Sequence, residues 1–216
     1  RVEPRAGTIP PAPWSNIVAH ETFGFAATEC SPGYTWSGNS HDNRLTPWHN
    51  DPVMDPPGEA VFVSDIPSGR VWSLTPLPCG GGQPYVVRHG QGYSEYEHRR
   101  TPFTSRLRVF VPERDPVKIF QITLTNVARE RRECAVTLYV DWVLGENRTR
   151  ALHHVVTSRD PATGALLARN VFREAFGHCV AVLDLHPGDF RTLTGDRMEF
   201  LGRNGTLAHP AALERD

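Results

Sequence analysis

Three kinds of side chain in this sequence have the types and spacing to do chemistry: carboxylates, histidines, and aromatic rings set among amides and guanidiniums. Glycoside hydrolysis by general acid and base needs two carboxylates facing one cleft. Asp51, Asp55, Glu59, Glu95, Glu97, Asp141 and Glu146 are available, but no spacing singles out a pair. Glu95 and Glu97 share one face of an expected strand and read as a solvated face. The ten histidines include His41, His49 and His89, and none falls in an HxH or HExxH pattern. They read as hydrogen-bonded loop histidines, with no metal and no cofactor expected. No serine or cysteine sits in a nucleophile elbow.

The aromatic pattern is the more informative one. From Tyr34 to Gly58 the chain is long, polar and aromatic. It sets Tyr34, Trp36 and Trp48 among Asn39, Asn43, Arg44, Asn50 and Asp51. A loop of this length in a compact domain is uncommon and is often functional. Such rings can stack on the apolar C–H face of a pyranose, while the polar planes take its hydroxyls. The same residues also suit a loop held over a sheet by its own Asx turns, with the tryptophans as packing plugs. Composition alone leaves the two readings level.

The elements that must position these groups are strands. Cys134, Val136, Leu138, Val140 and Trp142 alternate with Ala135, Thr137, Tyr139 and Asp141. Phe120, Ile122 and Leu124 alternate with polar residues, as do Leu107 and Val109 with Arg106 and Arg108. This period of two predicts strands with one apolar face. Shorter strands are expected near 15–20, 24–29, 60–64, 70–73, 84–88, 92–98, 152–157, 165–169 and 178–185. Turn signals such as Pro112–Pro116 separate them, and short connections favour antiparallel neighbours. No stretch carries an apolar stripe at helical period. The fold class expected is all-β: a large antiparallel β-sandwich with little helix, as one domain over 1–216.

Composition closes off other classes. The 216 residues carry 23 Lys plus Arg against 24 Asp plus Glu, a net charge of -1. Nucleic-acid binding, which needs a basic face, is therefore not expected. No apolar run approaches the ~20 residues of a membrane span, so no direct membrane insertion is expected. Cys30, Cys79, Cys134 and Cys179 lie far apart, which suits a reducing compartment better than a disulfide framework. The basic residues are almost all arginine, with Lys118 the exception. GC-rich codon usage accounts for that bias; selection of arginine for bidentate contacts is the functional alternative.

Several blocks resemble a known family. They are Asn43-Arg44-Leu45-Thr46-Pro47-Trp48-His49-Asn50-Asp51-Pro52-Val53 followed by Asp55 to Ala60, Thr75-Pro76-Leu77-Pro78, Tyr85 to Tyr93, and Phe200-Leu201-Gly202-Arg203-Asn204-Gly205. Together they are similar to the N-terminal β-supersandwich domain of glycoside hydrolase family 94, formerly glycosyltransferase family 36. Within it they look most like the branch at the C-terminal end of cyclic β-1,2-glucan synthases. The resemblance runs from about Trp14 to Leu213.

It implies a non-catalytic, carbohydrate-associated domain of a glucan synthase or inverting glycoside phosphorylase. In the family the general acid belongs to an (α/α)6 barrel that follows the sandwich, so the chain is not expected to be catalytic alone. The implied partners are a β-linked glucan or oligosaccharide, that helical barrel, and a second copy in a homodimer. The implied location is cytoplasmic, with the parent enzyme anchored in the inner membrane. The family's domain extends past Asp216, so the sequence reads as an excised piece of a larger enzyme, short of its last strands. An autonomous β-glucan-binding module is the alternative. On the motif blocks, Arg44 and Arg88 would either bond sugar hydroxyls or brace the loop through a carboxylate such as Asp51. Trp36 and Trp48 would stack on a glucosyl ring or pack on the barrel. Asn43, Asn50, Asp51 and Gln91 complete the expected substrate-facing set.

Overall fold

The computed structural model describes residues 10–80, 82–186 and 191–214. Thirteen strands occur among them: β1 Ser15–Ala19, β2 Phe23–Thr28, β3 Tyr34–Ser37, β4 Glu59–Asp65, β5 Arg70–Ser73, β6 Tyr85–Gly90, β7 Tyr93–Arg100, β8 Phe103–Phe110, β9 Ile119–Asn126, β10 Cys134–Val140, β11 Val155–Arg159, β12 Leu166–Asn170 and β13 Ala181–Leu183. Two short α-helices accompany them, α1 Arg148–Ala151 between β10 and β11 and α2 Arg197–Leu201 after β13. The expected all-β fold with little helix is what the chain adopts.

All pairings are antiparallel, in four sheets ordered β1-β2-β3, β10-β4-β5, β6-β7-β8-β9 and β11-β12-β13. The first three enclose the main core. Val18, Phe25 and Ala27 come from the first sheet, Val61, Val63 and Trp72 from the second, and Tyr96, Phe103, Leu107 and Val109 from the third. Strand β4 is buried on both faces, which explains its unbroken apolar run Ala60-Val61-Phe62-Val63. Its other face, with Ala60 and Phe62, packs on Tyr139, Phe200 and Leu201. The Phe200–Gly205 motif is thereby placed. Asp196 caps α2 by accepting from the Met198 and Glu199 amides, and the helix presses Phe200 onto Phe62 and Tyr139.

The structure corrects the sequence reading at four points. Tyr34–Ser37 is strand β3 rather than the start of a loop, and it pairs with β2 from Ala26↔Tyr34 to Phe23↔Ser37. Strands β9 and β10 are not neighbours: β9 pairs with β8, whereas β10 crosses to the opposite sheet and pairs with β4. Each lends apolar side chains to the same core from facing edges, so the short connection spans the sandwich. The strand expected near 152–157 starts only at Val155, because the Asn147 side chain accepts from the Thr149 amide and starts α1. Finally, the face that Glu95 and Glu97 share is solvated at Arg88, Arg106 and Arg108, but Glu95 itself is covered. It is buried between Arg88 and Arg108, its neighbours across the sheet.

Candidate functional site

The aromatic loop stands on the outer face of the β1-β2-β3 sheet. Phe25 and Ala27 point into the core, so Gly24 and Ala26 point out, together with their partners Trp36 and Tyr34. Gly24 is glycine for a reason of space: a Cβ there would lie 2.5 Å from the Trp36 ring. The indole of Trp36 therefore lies across bare backbone. Tyr34 sits between two tryptophans, tilted on Trp36 and stacked flat on Trp48, each at 5.4 Å between ring centres. Tyr34 is buried, and Trp48 keeps 49% of its surface exposed. The guanidinium of Arg44 lies 5.6 Å from the Trp48 ring centre.

A buried ion pair fastens this loop to the sandwich. Thr35, on the inward side of β3, donates its hydroxyl to Glu59 Oε1 at 2.5 Å, and Thr46 donates to the same oxygen at 2.7 Å. Lys118 Nζ reaches Glu59 Oε2 at 2.6 Å, the Thr35 hydroxyl at 3.2 Å and the Pro32 carbonyl at 2.9 Å. Its ammonium also lies over Phe25 and Phe120, at 4.4 and 5.1 Å. Both charged side chains are almost wholly buried, Lys118 at 5% and Glu59 at 3% exposure. Burial holds the Lys118 amine below its usual range, against the opposing pull of Glu59. The single lysine is thus the bolt between the loop, the start of β4 and the start of β9. An arginine fork is bulkier than this compact, three-way ammonium contact accommodates.

The expected substrate-facing residues divide into two groups. Trp36, Asn43, Arg44 and Trp48 lie together at the β3 edge. Asn43 is buried and donates to the Ser37 carbonyl at 2.8 Å, so it closes the β3 turn. Arg44 forms a bridge between Trp36 and Gly145 and donates to the carbonyls of Ser40 and Glu146. It braces the loop through backbone oxygens, whereas Asp51 instead accepts from the amides of Val53 and Met54. Asn50 is exposed and holds a left-handed φ of 51°. Arg88 and Gln91 belong to the β6–β7 hairpin, whose turn lies against β1, at the opposite edge of the three-stranded sheet. Arg88 pairs with Glu95 and with Glu97, at 3.4 and 3.0 Å.

Sequence reasoning missed a second polar cluster beside that hairpin. Glu29 is buried and accepts from the Trp14 amide at 2.6 Å. Asp55 accepts from the Thr28 hydroxyl at 2.5 Å, and burial raises its carboxyl. Burial, with Glu29 beside it, pushes the Cys30 thiol up to about 12. Tyr96 donates to the Thr28 and Ser31 carbonyls from the opposing sheet. His89 bridges the Ser94 hydroxyl and the Trp14 carbonyl, and burial lowers its pKa. A polar residue closing each apolar strand end was the available signal, and it is weak without the partners. Among the described residues no three His, Cys, Asp or Glu side chains group to hold a metal. No helix among them is long and apolar enough to cross a membrane.

Comparison with known proteins adds an independent line. Residues 2–216 match the family described as glycosyl hydrolase 94, supersandwich domain. The chain is 35% identical over 213 residues to the cyclic beta-(1,2)-glucan synthase NdvB of Rhizobium meliloti (strain 1021), covering 97% of this chain and 7% of that protein. It is 24% identical over 216 residues to the N,N'-diacetylchitobiose phosphorylase of Vibrio proteolyticus, covering 95% of this chain and 26% of that enzyme. Over 84 residues, 38% of this chain, it is 32% identical to the solabiose phosphorylase of Paenibacillus borealis, of which they form 11%. The chain thus spans a small part of each of these relatives.

Proposed function

The chain belongs to the glycosyl hydrolase 94 supersandwich domain family, and on that premise we propose that it is the non-catalytic wall of a carbohydrate-active enzyme. It shapes the sugar site with its Tyr34–Trp48 face and packs on a helical catalytic barrel in the same polypeptide. The ligand class is a β-linked gluco-oligosaccharide, the location is the cytoplasmic side, and the assembly is a homodimer. The enzyme it serves is a glucan synthase or a glycoside phosphorylase.

The supporting observation is the exposed Trp48 ring, backed flat by Tyr34, flanked by Arg44 and pinned from beneath by the Lys118–Glu59 pair. A rigid aromatic plane beside a guanidinium is the hardware for holding a pyranose. The carboxylates of the loop, of its ion-pair bolt and of the polar cluster beside the β6–β7 hairpin support a non-catalytic role. Asp51, Asp55, Glu59 and Glu29 each accept internal hydrogen bonds. A general acid must instead face the bond it cleaves.

The half-exposed Trp48 also favours a second reading, a module that binds glucan on its own. Isothermal titration with β-1,2-linked gluco-oligosaccharides separates the two. Heat that disappears in Trp48→Ala selects the binding module, and no heat at millimolar ligand selects the wall. Phosphate release from donor sugars by the chain alone is expected to be nil, and clear turnover would overturn both.

A further inference from the structure

Beside Arg44 the chain forms a cleft of about 330 Å³ that none of the expected site residues line. One wall is Gly145 to Ala151, the end of the segment after β10 together with α1. The other is the turn after β12, from Asn170 to Glu174, with His154 at the back. The volume lies at the small end of the range for ligand sites, ~300–1,000 Å³.

Three observations give the cleft a chemistry. Phe172 lies flat on His154, with ring centres 4.2 Å apart and planes 6° apart, yet 76% of Phe172 is exposed. A phenyl ring backed on one side and open on the other is a stacking platform, not a core residue. The charged lining balances, with Arg150 and Arg173 against Glu146 and Glu174, and Asn147 adds an amide. Two guanidiniums alone would select an anion, but this mixture of donors and acceptors suits a neutral polyol. The walls are also built rather than incidental. Buried Asn170 donates to the Leu144 carbonyl at 3.2 Å and accepts from the Phe172 amide at 3.3 Å, tying the two walls together. Leu144 itself holds φ at 47°, a left-handed conformation costly for a bulky residue and often found at binding sites.

From these features we propose that the cleft is a separate saccharide subsite for a neutral pyranose unit, with Phe172 as its stacking platform. It adjoins the Trp48 face, because Arg44 bonds the carbonyl of Glu146 on the cleft wall. The ligand class, and binding by the chain alone, rest on the second reading above, a module that binds glucan on its own.

Titration calorimetry with β-1,2-linked gluco-oligosaccharides and with N,N'-diacetylchitobiose tests this on the native chain and three variants. Phe172→Ala is expected to weaken binding by roughly fivefold or more, and Phe172→Trp to restore it. Because the ring is exposed, thermal unfolding of both variants should match the native chain, which separates lost contact from lost fold. Weakening in Phe172→Ala, with or without weakening in Trp48→Ala, supports the subsite. Weakening in Trp48→Ala alone overturns it and leaves the Trp48 face standing. No binding by the native chain at millimolar sugar also overturns it, and that result is the one expected of a wall that acts only with its barrel.

Discussion

His98 is set to make this domain acid-sensitive. It lies on the inward side of β7, 1% exposed, stacked on Tyr85 with ring centres 4.1 Å apart. Neither ring nitrogen has a hydrogen-bond partner among the described residues. Burial, with Arg100 nearby, pushes its pKa from 6.5 down to about 4. The folded chain thus refuses a proton that the unfolded chain accepts. Stability from this group is complete above the unfolded value and drains away as pH falls from 6.5 toward 4. The gap of ~2.5 units is worth ~3 kcal/mol in full, of which ~2 kcal/mol is lost between pH ~7 and pH ~5. Urea denaturation at those two pH values measures it, with His98→Phe as the reference. Phenylalanine keeps a ring against Tyr85 and cannot titrate, and the other histidines cancel in the difference. The native chain should lose ~2 kcal/mol more than His98→Phe over this interval. Parallel losses in the two proteins would refute the reasoning, as would an imidazole NMR signal for His98 titrating near its ordinary value.

Other perturbations probe the loop and its bolt. Lys118→Met strands a buried carboxylate and should cost ~3–5 kcal/mol by chemical denaturation, with part of that recovered in the Lys118→Met, Glu59→Gln double variant. A loss under ~1 kcal/mol would mean that water reaches the pair. Gly24→Ala drives a Cβ into the Trp36 ring and should cost ~1–3 kcal/mol, with a shift in tryptophan emission that a purely backbone effect would not give. Asn50→Gly should be neutral or slightly stabilising, because glycine accepts the left-handed backbone, whereas Asn50→Val should cost ~1–2 kcal/mol. Equal melting temperatures for those two variants would dismiss the conformational role of Asn50.

The strands with alternating patterns were legible because one face of each is apolar and the other wet. Strand β3 escaped notice because its pattern is reversed. Its inward Thr35 is polar, satisfied by Glu59, while its outward Tyr34 and Trp36 are aromatic and covered by the loop. Period two describes one strand and says nothing of its partner, so the crossing between β9 and β10 was invisible. The aromatic loop was legible as a candidate site from composition, but the division of the expected substrate-facing set between two edges of the sheet was not. Arg88 and Gln91 read as companions of Arg44 because they too lie in a motif block of the family resemblance, beside aromatics and amides. Glu95 read as solvated for want of Arg108, its neighbour one strand further on. The lone lysine was visible at once, yet its meaning lay in Glu59, a partner 59 residues away in sequence.

That lysine has a practical consequence for handling the protein. Amine-directed acylating reagents, biotin esters and aldehyde crosslinkers find no ε-amine on the surface, since Lys118 is 5% exposed. Apart from a terminal amine, the folded chain should be silent to them. A lysine-specific protease would likewise have one peptide bond to cut, after Lys118, and that bond adjoins a side chain locked in the interior. Acylation or cleavage at Lys118 would therefore record the opening of the loop from the sandwich as a covalent mark at a single residue, readable by mass.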